Sequence, residues 1–186
     1  MAYKPSSVIV DQQYVKPIRD KIALASASLQ AGGDHVANVG NACKYLFQAR
    51  LKLNTLDRDS PTYVLFDREA NILADKVREY AKDAIKGFAG RAANEVESIR
   101  TKVSYEQKKF PLGVSSTLRV NDSEFDKARR TVGAANEYTQ DVLSRTTKFR
   151  ISDNDLKRYA NSSLEELRKT KTDLQKYERS HHGWIV

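Results

Sequence analysis

Apolar residues recur along this chain at spacings of three and four, separated by short polar or glycine-bearing gaps. The first run is Ile18, Ile22, Ala25 and Leu29, the period of one helix face. Pro17 suits a first helical turn, where its missing N–H costs little. Gly32 and Gly33 supply a stop. Asp34 is placed to cap the next helix by accepting from a first-turn N–H. Its face is Val36, Val39, Cys43, Leu46 and Phe47, and it runs to Asn54.

Residues 55–67 read as a connection containing Pro61, with Tyr63-Val64-Leu65-Phe66 extended or a short strand. The clearest amphipathic helix spans Arg68 to Phe88, with Leu73, Val77, Tyr80, Ala81, Ala84, Ile85 and Phe88 on one side and Asp75, Arg78, Glu79 and Lys82 on the other. Gly87 and Gly90 soften its end. Helical spacing resumes at Val96, Ile99 and Val103 until Pro111 blocks it. Residues 110–121 read as a loop. Asn121 or Ser123 then caps a helix with Phe125, Ala128, Val132, Ala135 and Val142 on its face. After a basic turn at Lys148 and Arg150, Ser152 and Asp155 have near capping-box spacing. A long polar helix follows, with only Leu156, Leu164, Leu167 and Leu174 as its seam. So thin a seam predicts packing on a partner or another subunit.

These elements predict an all-α fold: a four- to five-helix antiparallel bundle with an extended N-terminal arm and a long C-terminal helix. The arm is 1–15, the bundle core 16–151, and the C-terminal helix with its apolar tail 152–186.

Composition narrows the class. The 186 residues are 40% hydrophobic and 30% charged, enough for one core and unlike a disordered tail. Mean hydropathy is −0.63, and the absence of a long apolar run argues against a membrane span. Met1–Asp11 has no charged segment leading into an apolar stretch, which predicts no secretory signal. One cysteine, Cys43, excludes a disulfide framework. Lys+Arg number 32 against 24 Asp+Glu, a net +8. Residues 86–130 and 145–180 each hold 10 basic and 6 acidic side chains, whereas 61–85 hold 4 and 5. The excess is therefore dispersed. It marks either a polyanion partner or a solvated cationic surface.

Catalytic constellations are missing, so the expectation is a non-enzyme with no cofactor and no metal. His181 and His182 are adjacent but lack a third ligand at suitable spacing. Cys43, among Val39, Leu46 and Phe47, reads as a core residue. There is no phosphate-binding glycine loop. The nucleic-acid features are stronger. Arg91 follows the Gly90 break, where backbone N–H groups and a guanidinium would meet a phosphate. Lys127, Arg129 and Arg130 sit beside Asp126, reading equally as phosphate ligands or as an ordinary surface ion-pair ladder.

Three segments, in chain order, resemble the coat proteins of rod-shaped plant viruses, the tobamovirus and tobravirus group. They are Tyr63-Val64-Leu65-Phe66-Asp67-Arg68-Glu69-Ala70-Asn71, then Phe88-Ala89-Gly90-Arg91 with Glu95-Val96-Glu97, then Phe125-Asp126-Lys127-Ala128-Arg129-Arg130. Trp184 is similar to an aromatic near that family's C-terminus. The resemblance implies a bundle stacked into a helical tube, with single-stranded RNA in a groove near the inner ends of the core helices. Arg91, Lys127, Arg129 and Arg130 would then serve the RNA. Glu95, Glu97 and Trp184 would make assembly contacts, and the protein would reside in a virion and the host cytoplasm. The alternative expectation is a cytoplasmic helical scaffold whose leucine seam docks an acidic protein.

Overall fold

Ser60 and Pro61 begin the longest element of the chain. The Tyr63 N–H donates to the Ser60 hydroxyl at 3.1 Å, and Pro61 brings a pre-set φ to the first helical position. The computed structural model describes residues 7–109 and 120–182, with side chains for 13–104 and 120–181. Its helices are α1 (Ser7–Gln30), α2 (His35–Leu53), α3 (Pro61–Lys109), α4 (Asp122–Lys148) and α5 (Asn154–His182). No strand occurs among the described residues, so the fold is all-α.

Two sequence expectations fall to α3. Tyr63–Phe66 is helical, because the Ser60-Pro61 start pre-organises those residues for the helix. Gly87 and Gly90 do not end the helix, which runs on to Lys109. Each glycine costs about 1 kcal/mol relative to alanine. Burial of Ile85, Ala92, Val96, Ile99 and Val103 on a single face outweighs that cost, at about 0.8 kcal/mol per buried methylene. The expected stop at Pro111 lies outside the described residues.

The expected arm is also corrected. Residues 7–15 belong to α1, which carries Pro17 in its interior. An interior proline deletes one backbone bond and costs ~3 kcal/mol. Packing offsets it: Ile18 is buried with Leu53 and Phe66, and Val15 and Ile22 close around them. Residues 1–6 lie outside the described region.

The chain divides into two compact units. One runs to Lys82 and takes in Val142–Leu156; the other comprises Asp83–Asp141 and continues from Lys157. In the first, α1 and α2 form a hairpin. Gly33 turns it at φ 93, a left-handed conformation natural to glycine. Asp34 caps α2, accepting from Val36 at 2.8 Å and Ala37 at 3.1 Å. Asn38, largely buried, donates to the Ala31 carbonyl at 2.7 Å. Arg78 holds the α4–α5 turn in this unit, donating to the Ile151 carbonyl and pairing with Asp153, each at 3.0 Å.

That turn is a Schellman motif. Ile151 N–H reaches Thr146 O at 2.8 Å, Arg150 N–H reaches Thr147 O at 3.0 Å, and Arg150 takes φ 57. Ile151 is buried, as the motif's hydrophobic contact requires. The cap of α5 is Asp153 rather than Ser152, accepting from Leu156 at 2.7 Å.

The second unit is built from α3, α4 and α5. Phe88 meets Tyr138, Glu95 meets Lys127 and Lys102 meets Glu124, so α3 and α4 run antiparallel. Arg129 meets Glu178 and Phe125 meets His181, so α4 and α5 do too. Leu167 and Leu174 join Phe125, Val132, Val96 and Ile99 in one core. The leucine seam is thus used inside the chain rather than left for a partner. Asn121 caps α4 by accepting from Glu124 N–H at 3.0 Å, while Glu124 accepts from Asn121 N–H at 3.3 Å, a reciprocal capping box.

Two substitutions with opposite chemistry should both stabilise. Arg150→Gly removes left-handed strain and Gly90→Ala removes backbone freedom, Gly90 having open space around it. Each should add about 1 kcal/mol, read as a higher thermal midpoint. Lys102 donates to Glu124 and holds its carboxyl below the usual carboxylate range, the hydrogen bond being the largest cause. A depressed folded-state pKa gives stability that is present above the ordinary glutamate value and lost as pH falls through the folded one. In Lys102→Met the Glu124 carboxyl, followed by NMR, should titrate higher, and acid unfolding between pH 5 and 3, roughly the carboxylate range, should lose that contribution.

Candidate nucleic-acid interface

On α3 in the second unit, Phe88, Arg91, Asn94, Glu95 and Ser98 recur at helical spacing. With Arg130, Thr131 and Ala134 of α4 they line an open groove of about 620 Å³. It holds two guanidinium groups. Arg91 and Arg130 are both exposed, and neither makes an ion pair within 4 Å among the described residues.

Arg91 is nonetheless held. Its Nε donates to the Gly87 carbonyl at 3.3 Å, and its guanidinium carbon lies 4.3 Å from the centroid of the Phe88 ring, a cation–π distance. Helical side chains lean toward the preceding turn, which is why Arg91 reaches residues three and four positions earlier. Phe88 is itself stacked on Tyr138, centroids 3.9 Å apart and planes 22° apart. Two planar groups cannot both sit about 4 Å above one ring face, so Tyr138 covers one side of Phe88 and Arg91 the other.

The remaining expected cations are engaged. Lys127 pairs with Glu95 at 2.9 Å, which neutralises the one carboxylate of the groove lining. Arg129 bridges Asp126 and Glu178, the latter at 2.7 Å, and the Asp126 hydrogen bond raises its pKa further. The ion-pair ladder is therefore the better description of Arg129. Glu97 pairs with Arg100 at 3.1 Å. Trp184 lies outside the described residues. The expected helix N-terminus at Arg91 does not exist: α3 passes through Gly90, leaving side chains rather than open backbone N–H groups to meet an anion.

Sequence reasoning brought out Arg91 and Arg130 and missed their polar neighbours. Asn94 and Ser98 follow from Arg91 at helical spacings of three and seven once α3 is continuous, whereas Thr131 is the sequence neighbour of Arg130. Elsewhere, burial pushes the Cys43 thiol up to about 12, which leaves it protonated and a poor nucleophile at neutral pH. His35 Nδ1 is hydrogen-bonded to the Tyr80 hydroxyl. No group of three His, Cys, Asp or Glu side chains could hold a metal among the described residues, and no described helix is long and apolar enough to cross a membrane. Protein-family models, curated proteins and solved structures were all compared with this chain, and none matches.

The pairing pattern should be readable chemically. Phenylglyoxal at low extent should label Arg130 ahead of its neighbour Arg129, with fragment mass spectra locating the adduct. Raising salt should narrow the difference, because exposed ion pairs are screened.

Proposed function

We propose that this chain is a structural, non-enzymatic coat protein: a helical-bundle subunit that polymerises around single-stranded RNA and binds it through phosphate contacts without reading sequence. The observation that carries this reading is the groove, where Arg91 and Arg130 have no carboxylate partner among the described residues while Lys127 and Arg129 are paired. Free guanidinium groups in a groove are the chemistry a phosphate backbone selects. Neutral hydrogen-bonding groups at Asn94, Ser98 and Thr131 add contacts that do not depend on base identity.

Polymerisation draws support from the apolar surface. Val64 is 59% and Leu65 54% exposed, and Leu24, Leu51 and Ile72 are also exposed. Val64 and Leu65 are adjacent on α3 and would be the first side chains to meet a further copy of the chain. The resemblance of the Tyr63–Asn71, Phe88–Glu97 and Phe125–Arg130 segments to rod-shaped virus coat proteins agrees with this reading, as would a place in a virion and the host cytoplasm. Less supports the scaffold alternative, since Leu156, Leu167 and Leu174 of its seam are buried within the chain and Leu164 is half-buried.

Purified protein mixed with single-stranded RNA should give filaments or rings in negative-stain microscopy. Absence of both, with and without RNA, would remove the assembly reading. RNA affinity should fall steeply with salt, and Arg130→Ala should lower the slope of log affinity against log salt by about 0.7, one single-strand phosphate contact, at unchanged helical content. An unchanged slope would show that Arg130 touches no phosphate.

A further inference from the structure

We infer that the groove binds a nucleobase as well as a phosphate, with Arg91 as the stacking surface and Arg130 as the phosphate ligand. This rests on the RNA-binding reading and divides its labour between two residues of the same charge.

The stack carries the argument. Tyr138, largely buried, supports Phe88 from one side, and the Arg91 guanidinium covers the other. Both faces of Phe88 are occupied, so the ring offers nothing to a ligand. The guanidinium is the last layer of the column. Its central carbon lies 4.3 Å from the Phe88 centroid, its Nε is held by the Gly87 carbonyl at 3.3 Å, and the residue is exposed and lines the groove. A planar, delocalised cation held over a ring and exposed to the groove is a platform for a base, since guanidinium planes stack on aromatic systems. Every base has a π-face, so the contact fits sequence-independent binding.

Arg130 differs. Among the described residues it has no ring beneath it and no carbonyl or carboxylate holding it. Such a guanidinium keeps its donors for a bidentate contact to phosphate oxygens. Glu95 does not compete for Arg130, because Lys127 engages it at 2.9 Å.

The full-length protein tests this with two fluorescent probes of equal length and charge, a short adenosine oligoribonucleotide and its abasic ribose-phosphate counterpart. The wild type should bind the adenosine probe roughly 5- to 160-fold more tightly, the range for one stacked base. Arg91→Lys keeps the charge and loses the plane. It should erase most of that preference and leave the salt slope unchanged. Arg130→Gln should keep the preference and lower the slope. Equal affinity of the wild type for both probes, or an unaltered preference in Arg91→Lys, would overturn the stacking assignment while leaving phosphate binding intact. Failure of the wild type to bind either probe would overturn the RNA reading itself, and this inference with it.

Discussion

Phe66, Ala70, Leu73, Val77, Ala81 and Ile85 are buried along α3, and Ala92, Val96, Ile99 and Val103 continue the same succession of threes and fours. This seam carries the packing of Phe66 with Ile18 and Leu53 and, separately, of Val96 and Ile99 with Phe125, Val132 and Leu167. It crosses Gly87 and Gly90, both exposed with open space around them, so the glycines weaken the helix locally without touching the face that holds it. Helices in proteins owe most of their stability to such a face and less to propensity. Continuity also decides the chemistry. With the helix unbroken, Arg91 folds back over Phe88. A break at Gly90 would instead expose backbone N–H groups and free the side chain.

The sequence disclosed the helix faces well, because burial follows a 3.6-residue period that survives in the residue order. Val39, Cys43 and Leu46, or Phe125, Ala128, Val132 and Ala135, are buried as their spacing requires. Boundaries were less legible where a local signal has two meanings. Pro17 fits a helix start, and only packing of Ile18 against Leu53 and Phe66 places it in an interior. Ser60-Pro61 reads equally as a turn or as cap and first residue, and apolar Tyr63–Phe66 tipped the reading toward a strand. The division into two units was not visible at all. It joins Val142–Leu156 to residues before Asp83, a long-range pairing with no periodic trace.

For the site, the residue types were legible and their states were not. Four neighbouring cations look alike in sequence. Three-dimensional pairing separates them: Lys127 and Arg129 are spent on Glu95, Asp126 and Glu178, and Arg91 and Arg130 are not. Glu178 is far from Arg129 in the chain and is brought to it by the antiparallel course of α4 and α5. Net charge, being a sum, cannot report which cations are already satisfied. That selection, more than the +8, gives the groove its character.

The groove is also unequally prepared for a ligand. Ordering a long side chain on binding costs about 0.5–1.5 kcal/mol. Arg91 has met most of that cost in the free protein through Phe88 and the Gly87 carbonyl. Arg130 has met none of it. A guanidinium already in contact with a ring and a carbonyl, beside one with neither among the described residues, would suit a strand whose bases vary in size while its phosphates repeat. Under the proposed RNA-binding reading, the Arg91 plane would set where a base lies and Arg130 would adjust to where the next phosphate falls. Tyr138 makes this possible from α4 by stacking under a ring of α3, so the packing that closes the helix pair also sets the height of the Arg91 plane.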